Sequence, residues 1–347
     1  MRIVMTADTV GGVWTYALEL VDALAERGVD VALAAMGAPL RAEQRTELRS
    51  SRVRHAYAAD YALEWAEDPW RDVELAGDWL LEIADDFQPD VVHLNGYVHA
   101  ALPWKAPTVV VGHSCVLSWH RAVRGTDAGP EWRSYANAVR RGLRSASLLV
   151  APTHAMLDEL VRLYDPPCPS LVVPNGRSIS VRAVAKESFV LSAGRMWDDA
   201  KNLAALARVA SRLEWPVAIA GPGAPLGTLS RGALDDLLAR ASVFAAPARY
   251  EPFGLTPLEA ALAGCALVLG DIPSLREVWD DSAWFVSPDD DEALEHALVA
   301  LLTDDGRRRN LAERARRRAA RYTPARMVDG YLAAYARVVA AEPVEAA

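Results

Sequence analysis

The sequence predicts an α/β protein of two doubly wound parallel sheets. Three observations carry that expectation. Short apolar runs alternate with amphipathic helical patterns along nearly the whole chain, the signature of parallel sheets covered by helices. The segment Asp165-Pro-Pro-Cys-Pro169 breaks the alternation, and a second series starts beyond it. The 347 residues suit about two domains. The expected division is residues 1–165, residues 170–322 and a closing segment, 323–347.

The elements follow in order. Arg2 to Thr6 reads as a first strand, followed by a Gly11-Gly12 turn and an amphipathic helix from about Trp14 to Ala25. Gly28 closes that helix, and Val29 to Ala35 is the next strand. Val91 to Leu94, Thr108 to Val111 and Ser147 to Ala151 continue the series. Beyond the Pro-rich break the expected strands are Leu171 to Val173, Phe189 to Ser192, Val217 to Ala220, Val243 to Ala246, Ala266 to Leu269 and Ala283 to Val286. A final helix spans about Pro324 to Val339. Two such domains facing each other form a cleft at the carboxyl ends of their strands, where ligands bind in this kind of sheet.

Bulk properties narrow the function classes. A net charge of −9 argues against broad nucleic-acid binding. Cys115, Cys168 and Cys265 are widely spaced and fit neither a disulfide framework nor a zinc site, so a reducing cytoplasm is the simplest setting. The opening apolar run is too short for a signal peptide, and no run is long enough to span a membrane. Arg133, Arg140, Arg141 and Arg144 suit contact with an anionic membrane surface, although a solvated helix face is the simpler reading.

The most informative segment is Glu251-Pro-Phe-Gly-Leu-Thr-Pro-Leu-Glu259. Thr256 reads as an N-cap, Pro257 as the first helical residue and Glu259 as the third, with Gly264 ending the helix. Free N–H groups at a helix start make an anion site that the helix dipole reinforces. A diphosphate placed there has Glu251 and Glu259 on either side. Thr256-x-x-Glu259 is equally a capping box in which Glu259 only caps, and both readings stand at this point. Gly194-Arg195 and Lys201 lie near the end of the strand closing at Ser192, where a guanidinium and an ammonium neutralise a leaving diphosphate. Gly11-Gly12 lets backbone approach a phosphate but lacks the dinucleotide fingerprint. His113 follows a strand and reads either as a site residue or as a structural histidine. His93 and His99 flank Asn95-Gly96-Tyr97 without a metal-ligand pattern.

Assembled, these residues resemble the GT-B glycosyltransferases of the large retaining family 4 type. The resemblance is carried by Gly11-Gly12, His113, Gly194-Arg195 with Lys201, and Glu251 to Glu259, in that order along the chain. It implies a GT-B fold of two Rossmann-like domains, the first on the acceptor side and the second binding a nucleoside-diphosphate sugar. It also implies a terminal helix that crosses back to the first domain. By resemblance, Arg195 and Lys201 bind the donor diphosphate, Glu251 contacts the transferred sugar, Glu259 binds the ribose hydroxyls, and His113 sits near the reaction centre. Backbone near Gly11, Gly12, Phe253, Gly254, Leu255 and Thr256 holds phosphates and sugar.

The implied reaction is retaining transfer, of hexosyltransferase type, to a small-molecule, glycan or lipid-linked acceptor. It needs no cofactor and no metal, because the two cations and the helix start supply the positive field. The expected location is cytoplasmic or peripheral at the inner face of the membrane. A nucleotide-sugar 2-epimerase and a non-catalytic nucleotide- or glycan-binding subunit are the alternatives. One departure stands out. Leu226-Gly227 follows Gly221-Pro-Gly223 almost at once, where the family has a further helix and strand near the base pocket.

Overall fold

The computed structural model describes residues 1–180 and 184–341. The chain forms two compact units. One contains Met1–Ser118, Asp127–Gly176 and the chain from Pro324 on; the other contains Trp119–Thr126 and Arg177–Thr323.

The first unit is built on β1 (Arg2–Asp8), β2 (Asp30–Met36), β3 (His55–Ala58), β4 (Val91–Leu94), β5 (Thr108–Val111), β6 (Leu148–Ala151) and β7 (Ser170–Val172). The helices along this stretch of chain are α1 (Gly12–Glu26), α2 (Ala42–Ser50), α3 (Trp70–Phe87), α4 (Val116–Arg124), α5 (Arg133–Ser145) and α6 (His154–Tyr164). The strands lie in the order β3-β2-β1-β4-β5-β6-β7, all parallel. Ile3, Val4 and Met5 of β1 are fully buried, because helices cover both faces of a parallel sheet and leave no side for polar alternation. The chain winds outward from β1 in one direction and from β4 in the other, so the topological switch point lies between these two strands.

The second unit carries β8 (Glu187–Ala193), β9 (Val217–Ala220), β10 (Ala241–Ala246), β11 (Ala266–Gly270) and β12 (Trp284–Val286) in the order β12-β11-β10-β8-β9. Its helices are α7 (Leu203–Ala210), α8 (Arg231–Arg240), α9 (Leu255–Leu262), α10 (Pro273–Trp279), α11 (Asp291–Thr303) and α12 (Asp305–Ala319). Phe244, Leu267 and Trp279 anchor one face of the core, and Val243, Val268 and Leu298 the other. Here the switch point falls between β8 and β10. The last helix, α13 (Pro324–Ala340), packs in the first unit, where Tyr331 and Tyr335 are fully buried. The final part of the expected closing segment, residues 342–347, lies outside the described residues.

Three sequence expectations change. The run at Leu171 to Val173 does not open the second sheet: β7 pairs with β6 in the first, with Val150 opposite Leu171. Asp165 ends α6 in a left-handed conformation, and the Leu149 N–H donates to the Pro169 carbonyl at 3.0 Å. The prolines therefore stop a helix and lead into a strand within one unit, and the break between units falls at Gly176/Arg177 rather than at 165–170. The segment His55–Ala58, not foreseen as a strand, forms the sheet edge beside β2; it is short and largely exposed, so it carries little apolar pattern. Helix α9 starts at Leu255 with Gly254 as its N-cap and no side-chain cap bond, so the Thr256–Glu259 capping box does not form. Gly254 adopts φ +92°, which starts the helix before Thr256. Pro257 then lies in the first turn, where its missing N–H costs nothing.

Candidate functional site

The switch point of the second unit gathers the predicted residues from two loops. The loop after β8 is shaped by Asp198, whose carboxylate accepts the Ala200 N–H at 3.0 Å and pairs with the Arg195 Nη2 at 2.5 Å. Arg195 Nε is sealed from solvent without a partner, so the guanidinium is fixed along one edge. Trp197, 69% exposed, lies beside it, with the guanidinium carbon 5.3 Å from the ring centre. The carbonyl of Ala200 accepts the N–H groups of Arg249 and Tyr250, which ties this loop to the one after β10. Asn202 adds hydrogen bonds from Nδ2 to the carbonyls of Pro247 and Pro288. The two loops thereby bring Lys201 Nζ to Glu251 Oε2 at 2.6 Å.

Glu251 is fixed from behind, since the Ser274 hydroxyl donates to its carbonyl at 2.6 Å. Phe253 is buried edge-on against Tyr322. Gly254, Leu255 and Thr256 follow as the helix start, with their N–H groups at the positive end of the α9 dipole. Glu259 is 3% exposed and does not cap. Its Oε1 accepts from Arg177 Nε at 2.7 Å and from Arg231 Nη1. Arg231 also pairs with Asp235 on its own helix. The shortened connection after β9 is closed on itself: Gly221 N–H donates to the Gly227 carbonyl at 2.7 Å and Leu226 N–H to Ile219. A Cβ at Gly221 would lie 2.0 Å from the Gly194 carbonyl oxygen, so only glycine lets these two loops meet.

The switch point of the first unit holds the remaining predicted residues. Gly11, at φ +114°, turns the chain from β1 into α1, and Gly12 is the first residue of that helix. His113 follows β5 and stands edge-on to Tyr16, ring centres 4.5 Å apart. Its Nε2 is 2.8 Å from Asn95 Oδ1, and His93 Nε2 is 3.1 Å from the same oxygen. The Asn95 amide nitrogen donates to the Thr6 carbonyl at 2.6 Å, which fixes Oδ1 as the atom facing both rings. Both histidines therefore donate from Nε2–H. His93 Nδ1 accepts from the Tyr335 hydroxyl at 2.7 Å, while the neutral His113 keeps Nδ1 as an acceptor. Burial, with His93 alongside, lowers His113 to about 3, and burial lowers His93 to about 4, so both are neutral near pH 7. Glu64 accepts the N–H groups of Tyr97 and Val98 at 3.0 Å; burial first, then the nearby Asp8 charge, raises it to about 7.

The residues that sequence reasoning overlooked are partners of those it found. Arg177 was hidden behind Pro174-Asn175-Gly176, which reads as a turn, and Arg231 behind an ordinary helix start. Asn95 and Asp198 set the geometry of His113 and Arg195 across distances in sequence or through loop folding that no spacing rule reveals. Trp197, between Arg195 and Lys201, had only its position as a signal. Arg133, Arg141 and Arg144 lie exposed on α5, while Arg140 stacks over Tyr164. Among the described residues no helix is long and apolar enough to cross a membrane.

Comparison with known proteins gives this geometry a class. The family model described as Glycosyltransferase Family 4 matches residues 10–180, and that described as Glycosyl transferases group 1 matches residues 225–318. The chain is 28% identical over 274 residues to glycogen synthase of Mycobacterium tuberculosis, covering 67% of this chain and 64% of that protein. It is 26% identical over 388 residues to the D-inositol 3-phosphate glycosyltransferase of Xylanimonas cellulosilytica, covering 94% of this chain and 93% of the other. Sucrose-phosphate synthase of Thermosynechococcus elongatus superimposes with a TM-score of 0.83 at 16% identity, over 99% of this chain and 100% of that one. Anabaena HepE in complex with UDP-glucose superimposes with a TM-score of 0.73 at 14% identity, over 97% and 100%. The structural likenesses establish the fold, and the two family models match segments largely on either side of the division between the units. The chain is a glycosyltransferase of the GT-B fold.

Proposed function

We propose that the chain transfers a sugar, with retention at the anomeric carbon, from a nucleoside-diphosphate sugar to a hydroxyl of a small-molecule, glycan or lipid-linked acceptor. One observation carries the reading: the Lys201–Glu251 pair joins the loops after β8 and β10 at the switch point of the second unit, with Arg195 on the first loop and Glu259 on the helix α9 that follows the second. The Anabaena neighbour, with UDP-glucose bound on a similar fold, supports a nucleotide-sugar donor.

In this mechanism the acceptor oxygen bonds to the anomeric carbon as the bond from that carbon to the diphosphate oxygen breaks. The acceptor proton passes to an oxygen of the leaving diphosphate on the same face. Arg195, Lys201 and the backbone N–H groups at Gly254 to Thr256 stabilise the charge that develops on the leaving group, so no cofactor or metal enters the scheme. Glu251, paired with Lys201, accepts from hydroxyls of the transferred sugar. Glu259 accepts from the ribose. His113 offers Nδ1 as an acceptor to a sugar hydroxyl.

The test is a binding screen with UDP-, GDP-, ADP- and dTDP-sugars, then turnover of the tightest donor with candidate acceptors and anomeric analysis of the product. A product of the donor's own anomeric configuration supports the reading. An inverted product, or epimerised donor formed without acceptor, overturns it.

A further inference from the structure

We infer that Trp197 and the segment Trp119–Thr126 form the subsite that receives the acceptor, and that the acceptor presents a sugar ring to the Trp197 indole. This rests on the proposed transfer reaction and names the chemistry of its acceptor.

Trp197 is 69% exposed, the most exposed of the large apolar side chains among the described residues. A single exposed indole is ordinary on a protein surface. Its placement here is not. It lies on the loop after β8 between Arg195 and Lys201, the two cations given to the leaving diphosphate. In a transfer with retention the acceptor oxygen arrives on the face from which the diphosphate departs. The surface beside these cations is therefore where the acceptor must lie. Hydrogen bonds fix the loop at this point: Asp198 holds Arg195 and the Ala200 N–H, and the Met196 N–H donates to the Pro222 carbonyl at 2.9 Å. A Cβ on Gly223 would come within 3.9 Å of the indole, so the short connection after β9 backs its edge. Arg195 stands over one face of the ring, and the high exposure leaves the opposite face open.

Trp119–Thr126 belongs to the second unit although the chain on either side of it belongs to the first. Arg124 reaches Asp199 on the same loop at 2.9 Å and stands 5.3 Å from the centre of the Trp119 ring. Two tryptophans, each with an arginine over it, thus border one loop. Arg195 is paired with Asp198 and Arg124 with Asp199, so these pairs offer directed hydrogen bonds without net charge. A sugar ring matches such a surface, because its axial C–H groups pack on an aromatic face while its hydroxyls reach the charged pairs at the edge. A hydrocarbon chain would use the indole and leave the pairs unused.

The experiment measures binding of methyl α-glucoside, methyl α-mannoside and maltose by saturation-transfer NMR, with the tightest nucleoside diphosphate at saturation. It uses the full chain and its Trp197→Ala, Trp197→Phe and Asp199→Ala variants, and nucleotide affinity is measured in each. Both positions are exposed, so the variants are expected to fold. The wild type is expected to bind at least one of the sugars. Trp197→Ala is expected to weaken that sugar by about 3- to 10-fold, the effect of one aromatic contact, with nucleotide affinity within about two-fold. Trp197→Phe keeps a ring face and is expected to retain part of the sugar affinity. Asp199→Ala frees Arg124 from the loop and is expected to weaken the sugar without touching the nucleotide. Unchanged sugar affinity in Trp197→Ala would overturn the inference. A loss confined to nucleotide affinity would assign the indole to the donor and overturn it as well. A wild type that binds nucleotide but none of the sugars would also overturn it, leaving the donor reading intact. A wild type that binds no nucleotide would overturn the donor reading itself.

Discussion

Replacing Lys201 by methionine separates its role in holding Glu251 from its role in catalysis. The ammonium lies 2.6 Å from Glu251 Oε2, with the two side chains only 26% and 18% exposed. Removing it leaves a half-buried carboxylate without its charged donor, at a cost of about 2 kcal/mol. For a unit of this size that corresponds to a fall in Tm of about 4–8 °C. Glu251→Gln added to Lys201→Met removes the stranded charge and is expected to restore most of the lost Tm. Turnover follows a different course. The Lys201→Met variant is expected to lose about 10²-fold in kcat, with a smaller change in donor affinity, because a charge that stabilises the leaving group acts mainly in the transition state. The double variant is expected to be at least as slow, since it also loses the carboxylate proposed to hold the sugar. Scanning calorimetry and steady-state kinetics with the tightest donor decide the matter. Recovery of kcat along with Tm in the double variant would refute the leaving-group role and reduce Lys201 to a structural partner.

Other perturbations reach the remaining parts of the site. Glu259→Gln removes the buried charge that Arg177 and Arg231 bond, so Tm is expected to fall, and nucleotide binding by isothermal titration, measured well below that Tm, is expected to weaken as well; a fall in Tm with unchanged affinity would return Glu259 to a structural role. Gly254→Ala puts a side chain at φ +92° and within 3.3 Å of Leu275 and Pro257, so about 1–2 kcal/mol of stability is expected to go, read by urea unfolding. His93 is fully buried with a folded pKa lowered to about 4, below its unfolded value near 6.5. Its stability contribution is therefore complete above about pH 6.5 and is lost as pH falls toward 4, amounting to about 2 kcal/mol at pH 5. His93→Gln should flatten the difference in urea stability between pH 8 and pH 5 by that amount, and an unchanged difference would contradict the assignment. Nitrogen-15 NMR should show His113 as the neutral Nε2–H form at pH 7; an Nδ1–H form would contradict the orientation of Asn95.

The sheets were legible because their strands are buried on both faces. Val91 to Leu94, Thr108 to Val111 and Val217 to Ala220 are strands with the bounds their apolar runs suggested. The edge strand at His55–Ala58 left no such run, since an exposed edge does not require one. Proline misled the division at Asp165–Pro169 because it marks any helix stop, and sequence does not say whether the next strand joins the same sheet. The Thr256 capping box failed for a related reason: Gly254 could start the helix earlier, and a left-handed glycine leaves no mark in a spacing rule.

By itself the sequence determined the parallel α/β class, most of the buried strands and the residue types that suit a nucleotide sugar. Those follow from burial periodicity and from side-chain chemistry, which are local properties. The tertiary structure decided the partners. It gave β7 to the first sheet, Lys201 to Glu251, Asn95 to His113, and Arg177 and Arg231 to a single oxygen of Glu259. Such pairings join residues up to 82 positions apart, as Arg177 and Glu259 are. They depend on which strand ends and helix starts the sheet order brings together, and no pattern within one segment encodes that.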